Sequence, residues 1–252
     1  MIKGTYIIFL CLLVSVTNTH AQDVATLLKA GHTYIANAQE EDALTQFLGV
    51  LKIDPNNYEA TWNASLLYSK IGNRMTNEDQ QKSYFNLAKQ YAQKALKINA
   101  NDAESNYVMS VAMGRMALIS GPHDKVSAAR DIKNYVETAL KLDPQLADAW
   151  YVLGLWNYDV ANLNFFERAA ANMLFGGLPD GTVPNAIAAY KKAIQYDPTY
   201  ILYWKDIAVA YNDNDQKADA IAALKTALSL KIRTADDPQH IKDAQALLKK
   251  LQ

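Results

Sequence analysis

The residues best suited to acid–base or metal chemistry are scattered along this sequence of 252 residues. The histidines beyond residue 21 are His32, His123 and His240. They are far apart in sequence, no cysteine follows Cys11, and no metalloprotease, phosphate-loop, nucleophile-elbow or paired-cysteine motif occurs. The acidic pairs at 40–41 and 236–237 fall at expected helix starts or turns, where carboxylates complement the helix dipole. We therefore expect no enzymatic activity, no metal site and no cofactor.

The charge balance of the chain argues against a polyanionic partner. Lysine and arginine total 25, and aspartate and glutamate total 26, which gives a net charge of −1. Without an excess of positive charge, the chain as a whole does not attract nucleic acid or an anionic membrane. The hydrophobic share of 50% and the charged share of 20% are ordinary for one folded domain. We expect a single domain that does not bind nucleic acid.

Residues 1–21 predict a secretory signal peptide. They contain Lys3, an apolar run over residues 6–16, and small or polar residues up to Ala21, after which we expect cleavage. The apolar run is shorter than the ~20 residues that span a bilayer, and no other stretch comes near that length. The sequence therefore predicts an exported protein, periplasmic or extracellular, with no membrane span after cleavage. An uncleaved N-terminal anchor is the alternative.

Four similar segments divide the remaining sequence into repeats. They have the sequences KIDPNN, KINAND, KLDPQL and QYDPTY, and they begin at residues 52, 97, 141 and 195. Each follows an alanine-rich stretch with helical periodicity, and a proline just past a helix ends it because proline cannot donate the next backbone hydrogen bond. The pattern predicts pairs of helices that become stable by stacking in a row.

The repeats resemble the tetratricopeptide (TPR) family, whose unit of about 34 residues has small and large residues at fixed positions. The first unit carries this pattern at Leu27, Ala30, Gly31, Tyr34, Ala43, Phe47, Val50 and Pro55. The fourth carries it at Trp150, Leu153, Gly154, Ala186, Tyr190, Ala193 and Pro198. The resemblance implies an all-α fold, a TPR-like α-α superhelix that is a right-handed solenoid of antiparallel helix pairs with a C-terminal capping helix. Residues 22–252 would form one such domain of about five helix pairs.

Insertions near residues 73–83, 118–127 and 162–181 lengthen three of the repeats. The third insertion is apolar and aromatic, and its side chains at helical spacing include Phe165, Phe166, Leu174 and Phe175. An exposed apolar helix is a liability in a soluble protein, so we expect this one to cover something. It either packs as extra core on the convex side of the repeats or forms a lid on the concave groove. A membrane-dipping helix is the least favoured alternative because flanking basic residues are missing.

The segment over residues 149–198 also resembles the regulator of microtubule dynamics family. The match is carried by Trp150, Leu153, Gly154, Phe166, Glu167, Leu174, Phe175 and Gly176. It covers roughly the last two repeats and implies a shared fold. Because a secretory signal is hard to reconcile with a cytoskeletal partner, we do not expect microtubule binding. The signal and its Ala-Gln junction are more typical of an exported bacterial protein.

In TPR proteins the first helix of each unit lines the concave face, so the resemblance implies a binding groove there. Family position 5 carries an aromatic stripe with a basic end, at Leu28, Trp62, Tyr107, Tyr151 and Lys205. The candidate groove residues are Trp62, Asn63, Tyr107, Arg115, Tyr151, Tyr158 and Lys205. Large rings supply binding area at low entropic cost, but they serve equally well as packing residues between adjacent helices.

Two features of the groove bear on which kind of ligand it could bind. Asn63 stands where family members that clamp a peptide carboxylate have asparagine, but Leu28 stands where they have lysine. Family position 2 is acidic in three units, at Glu59, Glu104 and Asp148. Compensation of the helix dipole explains acids at these positions without any ligand.

Two functions follow as hypotheses. The first is a non-enzymatic protein-binding scaffold or adaptor of the periplasm or cell envelope, which holds a protein or peptide in the concave groove. The alternative is a small-molecule-binding TPR protein with a pocket closed by the 162–181 insertion. The first hypothesis predicts a macromolecular partner, and the second predicts a discrete apolar cavity. The sequence predicts neither the identity of the partner nor the oligomeric state.

Overall fold

The computed structural model describes residues 5–177 and 180–252. Side chains are described from residue 21 onward, except at positions 122, 170, 174, 175, 178 and 179. The side chains of residues 1–20, on which the signal-peptide prediction depends, therefore lie outside the described residues. The same holds for Leu174 and Phe175 in the third insertion.

Twelve helices and no strands make up the described part of the chain. The first helices of the five pairs are α1 (Thr5–Ala36), α3 (Tyr58–Asn73), α5 (Ala103–Leu118), α7 (Ala147–Ala161) and α10 (Ile201–Asp213). The second helices are α2 (Glu40–Ile53), α4 (Glu78–Ile98), α6 (Pro122–Leu142), α9 (Val183–Tyr196) and α11 (Lys217–Ser229). The other two are α8 (Phe165–Phe175), between α7 and α9, and α12 (Asp237–Leu251). Among the described residues, no helix is both long and apolar enough to cross a membrane.

The helices stack in a row of pairs. Each first helix packs against the second helix of its own pair, and each second helix from α2 to α9 packs against the first helix of the next pair. In addition, α3 contacts α5, and α5 contacts α7. The first helices therefore form a wall along the inner side of the row, which is where a groove would lie. This arrangement confirms the all-α TPR-like solenoid that the repeats predicted.

Side-chain caps determine where several helices begin. Asn57, Asn77 and Asp102 each accept a hydrogen bond at 3.0 Å from a backbone N–H in the first turn of α3, α4 and α5, respectively. Such a cap satisfies a backbone donor that has no partner inside the helix. The helices α4 and α6 each have 21 residues, whereas α2 and α9 have 14. The segments near 73–83 and 118–127 thus run into the starts of the two long helices.

Glycines at the crossings of paired helices allow the backbones to approach closely. A methyl group built on Gly31 would lie 2.8 Å from the Phe47 ring, and one built on Gly154 would lie 2.5 Å from the Tyr190 ring. Both rings are fully or almost fully buried, so they occupy the space that a larger residue at the glycine would need. The small and large residues of the repeat pattern are therefore matched to each other by volume.

The C-terminal residues close the row, and the segment just before the last helix reaches back along the inner side of the row. Helix α12 packs against α10 and α11. Immediately before it, Asp236 places its Oδ1 atom 3.4 Å from Nη1 of Arg74, at the end of α3, while Thr234 and Asp237 are buried. Residues 233–237, called here the C-terminal return, therefore connect the fifth pair to the second. The sequence predicted the capping helix but not this return.

Candidate functional site

Tyrosine hydroxyls connect the first helices of neighbouring repeats along the inner wall. Three of these hydrogen bonds join α7 to α10, and they pair Tyr151 with Asp206, Tyr158 with Asp213 and Tyr203 with Asp148. A fourth joins Tyr58 of α3 to Asp102 at the start of α5, at 2.7 Å. Hydrogen bonds to ionised acceptors are stronger than neutral ones, so these contacts hold adjacent repeats in register. Tyr151 and Tyr158 therefore serve packing between helices.

Three more candidate groove residues use their polar groups within the chain. The Asn63 amide is buried and donates at 2.9 Å to a backbone carbonyl of its own helix. The Lys205 Nζ atom lies 2.6 Å from the carboxylate of the adjacent Asp206, and Arg115 donates to the side chain of Asn73 at 2.9 Å. A ligand in the groove would have to compete with these internal contacts for the same groups, but the buried Nε atom of Arg115 has no hydrogen-bond partner among the described residues.

Trp62 and Tyr107 differ from the other candidates because neither the indole N–H nor the hydroxyl has a hydrogen-bond partner among the described residues. Trp62 is partly buried against the core that α3 and α5 share. Tyr107 is only 6% exposed. Burial raises the pKa of its hydroxyl, and the negative charges of Asp148 and Glu104 raise that pKa further. The positive charge of Arg115 acts in the opposite direction and lowers this pKa, and the hydroxyl makes no hydrogen bond to either carboxylate.

The C-terminal return covers part of this wall. Burial lowers the pKa of the Arg115 guanidinium, while the nearby negative charge of Asp236 acts to raise it. Arg233 of the return forms an ion pair with Asp197 at 2.6 Å, and its guanidinium lies 4.6 Å from the centre of the Tyr200 ring. The groove predicted from the sequence is therefore not open along its whole length, because the chain itself occupies part of it.

The three acids at family position 2 have different surroundings. Glu59 is hydrogen-bonded to His32, and Asp148 accepts a hydrogen bond from Tyr203. The Glu104 carboxyl has no hydrogen-bond or ion-pair partner among the described residues. Burial raises the pKa of its carboxyl to about 7, and the like charges of three nearby aspartates, of which Asp148 acts most strongly, also raise it. The recurrence of an acid at position 2 is the only sequence signal for Glu104, and it does not distinguish the three.

We expect the substitution Glu104→Gln to stabilise the protein at neutral pH. The carboxyl has a pKa of about 4.5 in the unfolded chain and about 7 in the folded protein, so between these pH values it is protonated in the folded state only. Its contribution to the free energy of unfolding is therefore fully present below pH 4.5 and is lost as the pH rises through 7. An amide cannot ionise, so the variant should gain about 1–2 kcal/mol above pH 7 and nothing below pH 4.5. Denaturant unfolding at both pH values measures the difference.

The control for this prediction is Glu59→Gln, in which the matching acid of the preceding repeat already has a histidine partner. Its side chain is 44% exposed, so the change should lower stability slightly or not at all. A gain for Glu104→Gln that is the same at both pH values would show that ionisation of Glu104 does not cause it.

The third insertion forms α8, which packs against α6. An ion pair of 2.7 Å joins Lys125 Nζ of α6 to Glu167 Oε1 in the first turn of α8. Phe165 and Phe166 contact each other edge to face and are 79% and 78% exposed. These two rings therefore project into solvent, and the helix that carries them rests on a second helix of the row rather than on the inner wall.

The fold and the inner wall define a TPR-like helical repeat protein. A thermophilic TPR protein of Thermus thermophilus aligns with a TM-score of 0.65 at 18% identity, over 89% of this chain and 99% of that chain. PilF of Pseudomonas aeruginosa aligns with a TM-score of 0.55 at 12% identity, over 92% of this chain and 88% of that chain. At these identities the likeness shows the fold alone. In the described residues, no group of three or more His, Cys, Asp or Glu side chains could hold a metal ion.

The chain belongs to the regulator of microtubule dynamics family. The model of the family, "Regulator of microtubule dynamics protein 1-3", matches residues 26–252. Regulator of microtubule dynamics protein 2 of Macaca fascicularis is 23% identical, over 93% of this chain and 58% of that protein. Protein 3 of Xenopus laevis is 27% identical, over 75% of this chain and 41% of that protein. The chain thus spans about half the length of these relatives, and the resemblance seen in the last two repeats extends over almost all of it.

Proposed function

We propose that this protein is a non-enzymatic scaffold that binds a segment of another protein along its inner wall. The observation that carries the proposal lies on α3 and α5. There the half-buried indole of Trp62 is followed, one repeat later, by the Tyr107 hydroxyl and the Glu104 carboxyl, and none of these groups has a partner in the described part of the chain. A ligand that forms hydrogen bonds with these groups gains affinity, because the chain itself does not engage them.

The placement of α8 favours a groove over the alternative, a small-molecule pocket closed by the 162–181 insertion. A lid over the inner wall would contact the first helices, whereas α8 packs against the second helix α6. The exposed phenylalanines of α8 lie on a helix that packs on α6, and the contact of α8 with a first helix is a hydrogen bond from Arg168 to the Ala161 carbonyl at the very end of α7. The insertion then extends the outer surface of the third and fourth repeats.

The proposed place of action is the periplasm or cell envelope. Its support is the composition of residues 1–21, with a basic residue, a short apolar run and a small residue before Gln22. The relatives carry a name that refers to microtubule dynamics, and a cytoskeletal partner does not fit an exported chain. We therefore carry over the family's fold and not that partner.

Affinity capture with the full chain from the native envelope, quantified by mass spectrometry, tests the proposal. We expect Trp62→Ala to lower recovery of the main partner about tenfold, because a half-buried aromatic anchor is removed, while the helical circular dichroism persists. Trp62→Phe keeps an aromatic ring and removes the N–H together with part of the ring system, so it is the milder variant to use if the alanine variant unfolds. The mass of the recovered bait shows whether the chain begins at Gln22.

The matched control is Phe166→Ala, which removes an exposed ring outside the inner wall. Its partner recovery should equal that of the unaltered chain. Recovery that depends on Phe166 and not on Trp62 would place the interaction on α8 and contradict the groove proposal.

A further inference from the structure

We propose that the bound segment carries an acidic side chain, and that Arg115 and Arg74 bind its carboxylate in the place now taken by Asp236 of the C-terminal return. The inference rests on the proposed function and names the chemistry of the partner at one end of the inner wall. It is carried by two independent observations, a buried guanidinium nitrogen without a hydrogen-bond partner and an internal acid held by one long contact.

The first observation is that the guanidinium of Arg115 has no carboxylate partner. Arg115 lies in the last turn of α5, and its Nη1 atom donates at 2.9 Å to the side-chain oxygen of Asn73 at the end of α3. Its Nε atom is buried and has no hydrogen-bond partner among the described residues, and none of their carboxylates forms an ion pair with it. A carboxylate can bind a guanidinium through two parallel N–H···O hydrogen bonds. The neutral Asn73 therefore engages Nη1 and leaves Nε without an acceptor.

The other basic groups at this end of the wall have acidic partners. Arg74 follows α3, and its guanidinium lies 2.5 Å from Glu40 and 3.1 Å from Glu41. Lys70, in the last turn of α3, lies 3.8 Å from Glu40. Of these three cations, Arg115 is the one without an ion pair.

The second observation is that the return brings an acid to these arginines but holds it by a long contact. Asp236 Oδ1 lies 3.4 Å from Arg74 Nη1, which is the longest of the three ion-pair contacts of that guanidinium. Burial lowers the pKa of the Arg115 guanidinium, and the negative charge of Asp236 opposes this only in part. Asp236 therefore approaches both arginines and makes no short ion pair with either. A carboxylate with more freedom to move can bind them better.

Other polar groups of the return also lack partners. The Thr234 hydroxyl oxygen and Asp237 Oδ1 are buried, and neither has a hydrogen-bond partner in the described part of the chain. Buried polar atoms without partners cost free energy, so the return is not fully stabilised where it lies. Asp237 Oδ2 accepts the backbone N–H groups of Arg233 and Thr234, both at 2.8 Å, so the turn of the return does not depend on Asp236. An external acid can therefore replace the Asp236 side chain without unfolding this turn.

The charges along the inner wall restrict the acidic side chain to this place. Glu104 lies at the start of α5, and Arg115 follows it by 11 residues, which is roughly 16 Å along the helix. Among the described first helices, α3 and α5 have a basic residue in the last turn, whereas α1, α7 and α10 have none. The complementary charge for an acid is thus found where the second and third repeats end.

Fluorescence anisotropy with two labelled, capped peptides tests the inference on the full chain. One peptide has the sequence of residues 231–240, and the other differs only by asparagine at the position of Asp236. We expect the acidic peptide to bind about tenfold more tightly, because a carboxylate forms charge-assisted hydrogen bonds with a guanidinium. The substitution Asp236→Asn in the protein should raise the affinity for the acidic peptide further, because it removes the internal competitor.

Arg115→Gln should abolish the preference for the acidic peptide. It also removes a desolvated charge that has no ion pair, so the denaturation midpoint of the free protein should not fall. The control is Lys133→Gln, which removes a cation of α6, the second helix of the same repeat, and should retain the preference. Arg115→Lys keeps the charge but lacks the planar fork, so it should weaken the preference and serves if the glutamine variant unfolds.

Equal binding of the two peptides, or a preference that survives Arg115→Gln, would overturn the carboxylate site. Amide hydrogen exchange at residues 233–237 gives a second readout, since the acidic peptide should quicken it and the asparagine peptide should not. Unchanged exchange with the acidic peptide bound would contradict the replacement of Asp236. The scaffold function is judged separately, because partner capture that depends on Trp62 would support it even if both peptides bound equally.

Discussion

The substitution Gly154→Ala is expected to lower the free energy of unfolding by about 2–3 kcal/mol. Its new methyl group would lie 2.5 Å from one carbon of the Tyr190 ring and 2.6 Å from the next. Tyr190 is 1% exposed and packs in the core of the last repeats, so its ring has little room to move aside. The backbones of α7 and α9 would have to separate, and the effect should appear in equilibrium denaturation followed by circular dichroism.

The control is Gly114→Ala, a glycine in the middle of a first helix. A methyl group there meets nothing within 4 Å. Alanine has the higher helix propensity, so this variant should be as stable as the unaltered chain or more stable by up to about 1 kcal/mol. In the double variant Gly154→Ala with Tyr190→Ala, the cost should be smaller than the sum of the two single costs, because the clash disappears. Strict additivity would show that the close packing of these two residues is not the cause.

The substitution Arg74→Met is expected to destabilise the protein by about 2–4 kcal/mol. Arg74 Nη1 lies 2.5 Å from Glu40 Oε2 and 3.4 Å from Asp236 Oδ1. The Glu40 side chain is only 4% exposed, so the methionine variant leaves a buried carboxylate with a single, longer contact to Lys70 at 3.8 Å. Removing one partner of a buried ion pair costs more than the pair contributes, because the remaining charge stays desolvated.

The same variant should also loosen the C-terminal return. Asp236 loses its contact with the second repeat, so amide hydrogen exchange at residues 233–240 should quicken more than at α12's far end. The control is Glu41→Gln, which alters the exposed partner of the same arginine and should cost no more than about 1 kcal/mol. If Arg74→Met unfolds like the unaltered chain and leaves exchange at the return unchanged, the return is not held by this ion pair.

The helix pairs could be predicted from sequence because each pair is formed by neighbouring segments. The four proline-containing or asparagine-containing turns mark helix ends, and the spacing of small and large residues, such as Gly31 with Phe47, determines which faces meet. The family could be predicted for the same reason, since its pattern is local. The family match covers residues 26–252, whereas the resemblance to the family was recognised only over residues 149–198.

The candidate site was harder to predict because each partner lies in another repeat. Tyr107 and Tyr151 occupy the same family position, yet Tyr151 donates to Asp206, 55 residues away, and Tyr107 has no hydrogen-bond partner among the described residues. Likewise, Glu59 and Glu104 are indistinguishable as acids at a helix start. Only the offset between adjacent helices decides which of them meets a donor.

By itself, the sequence determined an all-helical row of pairs and the places where several of the helices end, because these depend on periodicity and turn residues within one or two repeats. The tertiary structure alone decided how tightly the row curves. Small rotations between successive pairs accumulate, and their sum brings Asp236 to Arg74 across 162 residues and leaves Glu104 without a counter-charge. A local pattern cannot specify such a sum, since every repeat contributes to it.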